Sequence, residues 1–170
     1  EDGRRQTIGP LTAYLGCVPP NDARPMDVKR FCRAALIDPL TGEDLGLPLV
    51  GTLDLVLPEA NGPLIVDFKV VARNSPPLEI AQEVDLACQT YLLRAAYGIP
   101  ETGVEVCQLV KTKTPQIAWR RFTARETIHF RRFFAVISTY LDDWRAKRFV
   151  FRPGIGGSSG DCRTWWCPDG

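Results

Sequence analysis

Asp54 and Asp67 lie thirteen positions apart, each inside a short apolar run, and Lys69 follows the second by two. The first run reads Gly51-Thr52-Leu53-Asp54-Leu55-Val56 and the second Leu64-Ile65-Val66-Asp67-Phe68-Lys69-Val70-Val71, with Pro58-Glu59-Ala60-Asn61-Gly62-Pro63 as the turn between them. Period-two alternation puts Asp67 and Lys69 on one face of a strand and Phe68 on the other. A carboxylate and an ammonium pressed into a hydrophobic sheet are costly unless they are paired or bound to something. With a second carboxylate on the neighbouring strand, the simplest compensation is a divalent cation. Two carboxylates facing one point beside a lysine suit metal-assisted hydrolysis of a phosphodiester.

The surrounding segments predict how these groups are held. Val28 to Ile37 reads as a strand closed by a turn at Asp38-Pro39-Leu40-Thr41-Gly42, followed by strands at Leu49 to Leu57 and Leu64 to Val71. Such short connections make an antiparallel meander. The opening through Pro25 is irregular, with a short helix around Leu11 to Leu15. Pro76-Pro77 starts a helix that runs to Tyr97 and stops at Gly98 and Pro100. Its apolar stripe is Ala81, Val84, Cys88, Tyr91, Leu92 and Ala95, and Gln82, Asp85 and Gln89 form a polar one. Strands follow at Val104 to Val110 and Gln116 to Phe122, then a helix from Ala124 to Lys147. Phe130, Phe133, Phe134, Ile137, Tyr140, Leu141 and Trp144 keep helical spacing there and are expected in the core. The order predicts an α/β arrangement with a mixed sheet.

The chain of 170 residues is the size of one domain, with a core over 28–152, an irregular segment at 1–27 and a Gly/Ser link with a cysteine-bearing tail at 153–170. Its 45% hydrophobic and 24% charged residues exclude a disordered chain. No apolar run reaches the ~20 residues of a membrane span, and no secretory segment opens the chain, so a cytoplasmic location and no membrane partner are expected. The start lacks a methionine and reads like the interior of a longer protein. The net charge of +1 hides a segregation: Asp38 to Glu105 carries eleven acidic and three basic residues, Lys111 to Arg152 eleven basic and three acidic. The basic half suits a polyanion, and Arg120, Arg121, Arg125, Arg131 and Arg132 are its candidate phosphate contacts. Arg120 and Arg121 are neighbours on a strand, so at most one of them faces a bound nucleic acid.

Gly51-Thr52-Leu53-Asp54, Val66-Asp67-Phe68-Lys69 and a helix bearing Gln89 together resemble the PD-(D/E)xK nuclease superfamily, in its RecB-like exonuclease branch. The resemblance spans roughly Val28 to Val110. It implies a restriction-endonuclease-like core, a central mixed β-sheet flanked by helices, and a Mg²⁺- or Mn²⁺-dependent deoxyribonuclease. By the same resemblance Asp54 and Asp67 bind the metal with the main-chain carbonyl of Phe68, Lys69 positions or activates the attacking water, and Gln89 supports the site. DNA is the implied partner, with an exonuclease role in recombination, repair or phage DNA processing, in a bacterial or phage-encoded protein beside a recombination or helicase partner. Alternatives are a nuclease-fold DNA-binding or structural module with impaired catalysis, and the nuclease domain of a larger helicase-nuclease.

The sequence departs from the pattern in two places. Leu93 stands where relatives often place a tyrosine, and no upstream glutamate or histidine ligand stands out. His129, the one histidine of the chain, falls in the aromatic helix at a boundary position. Several RecB-like nucleases hold an iron–sulfur cluster on four cysteines. Cys17 or Cys32 with Cys162 and Cys167 would be the candidate ligands, at poor spacing, so free thiols are expected instead. Cys88 and Cys107 read as buried thiols.

Overall fold

A computed structural model describes residues 12–16, 24–72, 84–112 and 114–148. It contains strands β1 (Asp27–Ile37), β2 (Asp44–Glu59) and β3 (Gly62–Val71), helix α1 (Val84–Tyr97), strands β4 (Gly103–Val110) and β5 (Gln116–Thr123), and helix α2 (Thr127–Arg145). A helical turn also occupies 12–16. The five strands form one sheet in the order β1-β2-β3-β4-β5. All neighbours are antiparallel except β3 and β4, which run parallel because α1 carries the chain between them. The result is a restriction-endonuclease-like α/β fold, a mixed sheet flanked by helices.

The hairpin between β2 and β3 is tighter than the sequence suggests. Its turn is only Ala60-Asn61, and Pro58 and Pro63 face each other inside the ladder. Glu59 and Gly62 flank the turn, so the next pair is one that exchanges no hydrogen bonds, and two prolines fit there without orphaning a partner. β2 also begins at Asp44, five residues before the expected Leu49, because its first residues pair with the end of β1.

Helix α1 is covered on two sides. Leu86, Leu92 and Leu93 pack with Leu53, Val56, Ile65, Val104 and Val106 of the sheet. Ala87, with Val84, Cys88 and Tyr91 beside it, packs with Phe130, Phe133 and Phe134 of α2. The stripe legible in the sequence is mostly the one turned to α2, and Ala95 at its end is exposed. The second stripe, Leu86 and Leu93, escaped because two covered faces blur the single-face periodicity on which such a reading depends. In α2 the expected core loses two members: Tyr140 and Trp144 are 53% and 51% exposed. Tyr140 sits about 100° around the helix from Leu141, and Trp144 lies a turn or so beyond the Phe130–Leu141 stretch that fills the core cluster.

α2 starts at the N-cap Glu126, whose main-chain N–H donates to Nδ1 of His129 at 2.9 Å. That reciprocal cap is the role of the chain's histidine. Among the described residues no helix is long and apolar enough to cross a membrane.

Candidate active site

The β2–β3 ladder pairs Leu55 with Val66, and beyond that pair the two strands part. Asp54 and Asp67 are the next residues on either side of this fork. Asp54 replaces the missing ladder partner: its Oδ2 accepts from the main-chain N–H of Phe68 at 3.0 Å. In an extended strand the N–H and C=O of one residue point to the same side, so the Phe68 carbonyl also faces the opening. The ring of Phe68 turns to the other face of the sheet, against Tyr14 and Trp119. Gly51 explains how α1 reaches this place. A Cβ there would stand 2.8 Å from Cδ1 of Leu92, so the bare glycine seats the helix on β2 three residues before Asp54.

Asp67 is buried. Its Oδ1 accepts from Nε2 of Gln89 at 2.7 Å, and its Oδ2 lies 3.6 Å from the ammonium of Lys69. Burial pushes the Asp67 carboxyl above the usual carboxylate range, against the pull of the Gln89 hydrogen bond and the Lys69 charge, and nearby Asp54 and Asp85 raise it further. Lys69 Nζ also donates to Asp85 Oδ2 at 3.3 Å, so the ammonium is held between one buried and one exposed carboxylate. Asp85 and Gln89 are one helical turn apart on α1 and so share a face. Sequence reading placed Asp85 on the polar stripe but gave it no part in the site; its spacing from Gln89 was the available signal. Gln82 lies outside the described residues.

The donors fit a hard divalent cation. Oδ2 of Asp67 and Oε1 of Gln89 are buried without a hydrogen-bond partner, an arrangement that calls for a positive charge or a bound water. The groups at hand are carboxylate, amide and main-chain oxygens, the set that Mg²⁺ and Mn²⁺ prefer. Among the described residues no three His, Cys, Asp or Glu side chains gather closely enough to hold an ion by themselves. An ion here would rest on Asp54, Asp67 and the Phe68 carbonyl, with water completing its shell.

The arginines separate by face. Arg120 pairs in register with Val106, itself opposite Asp67, so it lies on the face that carries the carboxylates. Its Nη1 donates to the Trp119 carbonyl at 2.9 Å, and its buried Nε has no hydrogen-bond partner. Arg121 points to the opposite face and grips Glu59 with two hydrogen bonds of 2.8 and 2.7 Å. This pairing holds the Glu59 carboxyl below its usual range, with help from Thr102.

Arg125 is buried, its guanidinium over the ring of Phe122, while its main-chain N–H donates to Oε1 of Glu101 at 2.6 Å. The same Glu101 receives a fork from Arg94 at 2.8 and 3.0 Å. Arg125 is therefore part of the joint between β5 and α2. Arg131 and Arg132 are exposed on the first half of α2, and Arg131 lines a cleft of about 550 Å³ with Arg94 and Arg125. That cleft sits by the C-terminal half of α1, whereas Asp85 and Gln89 lie in its N-terminal half.

Cys32 is a free thiol buried in the core, 3.8 Å from the Arg30 carbonyl. Cys17, Cys162 and Cys167 lie outside the described residues. Burial raises the thiols of Cys88 and Cys107 to about 12, which suits inert core positions.

The mixed sheet thus opens between two strands, with two aspartates, a lysine and a helix glutamine at the opening. The model of the PD-(D/E)XK nuclease superfamily matches residues 14–168, and the chain belongs to that superfamily. Its members are hydrolases of nucleic acids and generally use divalent metal ions. No curated protein matches the chain. Among solved structures, a protein of Eubacterium rectale provisionally named an exonuclease is similar at 11% identity with a TM-score of 0.48, over 73% of this chain and 47% of that one. The chain thus spans about half the length of that neighbour.

Proposed function

We infer that the chain is a Mg²⁺- or Mn²⁺-dependent DNA nuclease, an exonuclease working in recombination, repair or phage DNA processing. The observation that carries this reading is the fork. Asp54 and Asp67 meet where β2 and β3 part, and Lys69 is steered toward them by Asp67 and Asp85.

Each residue then has a task. Asp54, Asp67 and the carbonyl of Phe68 would hold the ion. Once bound, it would offset the charge of the scissile phosphate and lower the pKa of a bound water. Gln89 fixes Oδ1 of Asp67, which leaves the buried Oδ2, beside the Lys69 ammonium, as the oxygen without a hydrogen bond. Lys69, pinned on two sides, orients the attacking water or stabilises charge growing on the phosphoryl oxygens. Arg120, on the same face, is the arginine that supports a phosphate next to the scissile one.

Linear DNA incubated with Mg²⁺, Mn²⁺ or EDTA tests the reading. Cleavage is expected with either metal and none with the chelator. Asp67→Ala and Lys69→Ala should each lower the rate by at least about a hundredfold while circular dichroism shows an intact fold. Cleavage of equal rate in EDTA, or full activity in either variant, refutes it. Comparing linear with circular DNA separates end-dependent from internal cutting.

A further inference from the structure

Lys29 lies in β1 opposite Asp54, bracketed by the pairs Val28 with Leu55 and Arg30 with Leu53. Its φ of 51° is left-handed, a conformation in which glycine or asparagine would sit with less strain. The cause is geometric. Leu53 and Val56 are three positions apart, yet both pack in the core cluster that α1 covers, so the alternation of β2 breaks once between them. Asp54 falls in that break, and Lys29 is the matching fault on β1. Strain of this kind persists only where the surroundings enforce it, and it gathers at working sites.

The side chain makes use of the fault. Lys29 is 69% exposed, yet its ammonium forms an ion pair with Oδ1 of Asp54. Oδ2 of Asp54 already receives the Phe68 N–H, so both oxygens of this carboxylate are engaged. A divalent ion arriving at Asp54 competes with the Lys29 ammonium for Oδ1. Lys69 differs: only 20% of its side chain is exposed, and carboxylates bracket it. Lys29, on a flexible stem at the mouth of the fork, can leave.

We propose that Lys29 is an exchangeable counter-ion of this site. Its ammonium holds Asp54 until a divalent ion displaces it, and the displaced ammonium then serves a phosphate of the incoming nucleic acid. The exchange rests on the metal-nuclease reading above. It assigns Lys29 a positioning role that no motif in the sequence marks.

Calorimetry with Mn²⁺ tests it on the parent, Lys29→Gln, Lys29→Arg and Lys29→Gly. Loss of an exposed competitor should tighten Mn²⁺ binding about two- to fivefold in Lys29→Gln, and Lys29→Arg should stay near the parent. Lys29→Gly removes the ammonium while relaxing the backbone, so it must show the same gain if charge rather than strain is responsible. KM for a linear duplex with Mg²⁺ should rise by a similar factor in Lys29→Gln at unchanged kcat. A parent that binds Mn²⁺ while Lys29→Gln and Lys29→Gly leave the affinity unchanged overturns the exchange alone. A parent that binds no Mn²⁺ overturns the metal site and the exchange with it. A KM equal to the parent's strikes out the phosphate contact.

Discussion

Asp67 is the residue at which fold and function pull in opposite directions. Its burial raises the folded-state pKa, so without a metal the folded chain holds that proton more tightly than the unfolded chain does. The linkage sign follows: a raised pKa favours the fold at low pH, and that contribution is lost as pH climbs from the unfolded value of ~3.9 through the folded one. At neutral pH an ionised, partly satisfied Asp67 is therefore a burden on the metal-free protein. Asp67→Asn should melt a few degrees above the parent in EDTA at pH 7.5, with the gain shrinking toward pH 4. Saturating Mg²⁺ should reverse the order by stabilising only the parent. A parent as stable as the variant in EDTA at pH 7.5 would show that Gln89 and Lys69 already offset the burial. The candidate pair of carboxylates was legible in the sequence because an acid two residues before a lysine in an apolar run is a local oddity. Asp85 and Lys29 were not, since an exposed acid on a helix and a basic residue in a strand are ordinary until the fold brings them to the fork.

Elements were readable where one face is buried and blurred where two are. The strands and the aromatic helix announce themselves through period two and period 3.6, but α1 packs on the sheet and on α2 at once, and only one of its stripes stood out. Tyr91 shows what the second contact does. β1 loses its register with β2 between Ala35 and Ile37, which leaves main-chain groups without ladder partners. The Tyr91 hydroxyl takes up that slack: it accepts from the Ile37 N–H at 2.9 Å and reaches the carbonyls of Ala35 at 2.6 Å and Ile37 at 3.1 Å. Its ring meanwhile rests on Phe134, with centroids 5.5 Å apart. Tyr91→Phe keeps the ring and removes the oxygen, so its cost isolates the tie between α1 and the irregular end of β1. Unfolding in urea should lose about 1–2 kcal/mol, with the slope unchanged. A midpoint equal to the parent's would mean that water satisfies those groups as well as the tyrosine does. This tie explains why Tyr91 serves the frame of the molecule although it stands only two residues from Gln89.

At the scale of the whole molecule the charge split visible in the sequence becomes a question of faces. Eleven basic residues crowd Lys111 to Arg152, but the fold commits several of them to other work, and strand register decides which. Arg120 and Arg121 are adjacent, and no local pattern could say which turns toward the carboxylates. The parallel pairing of Asp67 with Val106, and of Val106 with Arg120, places Arg120 there, roughly 10 Å from Asp67 across two strand spacings. Arg121 is on the far face in a two-pronged grip on Glu59. Counter-ion release separates the two residues cleanly, because each phosphate contact contributes a slope of about 0.9 in log affinity against log salt on duplex DNA. Arg120→Ala should weaken duplex binding, measured with Ca²⁺ in place of Mg²⁺ across a series of salt concentrations, and flatten the slope by about one contact. Arg121→Ala should leave the slope where it was and lower stability at neutral pH instead, because the ionised Glu59 loses the two-pronged pairing that holds its carboxyl below the usual range. If Arg121→Ala flattens the slope and Arg120→Ala does not, the nucleic acid runs over the opposite face of the sheet from Asp67. The fork would then be no place for a scissile phosphate, and the assignment of chemistry to it would fall.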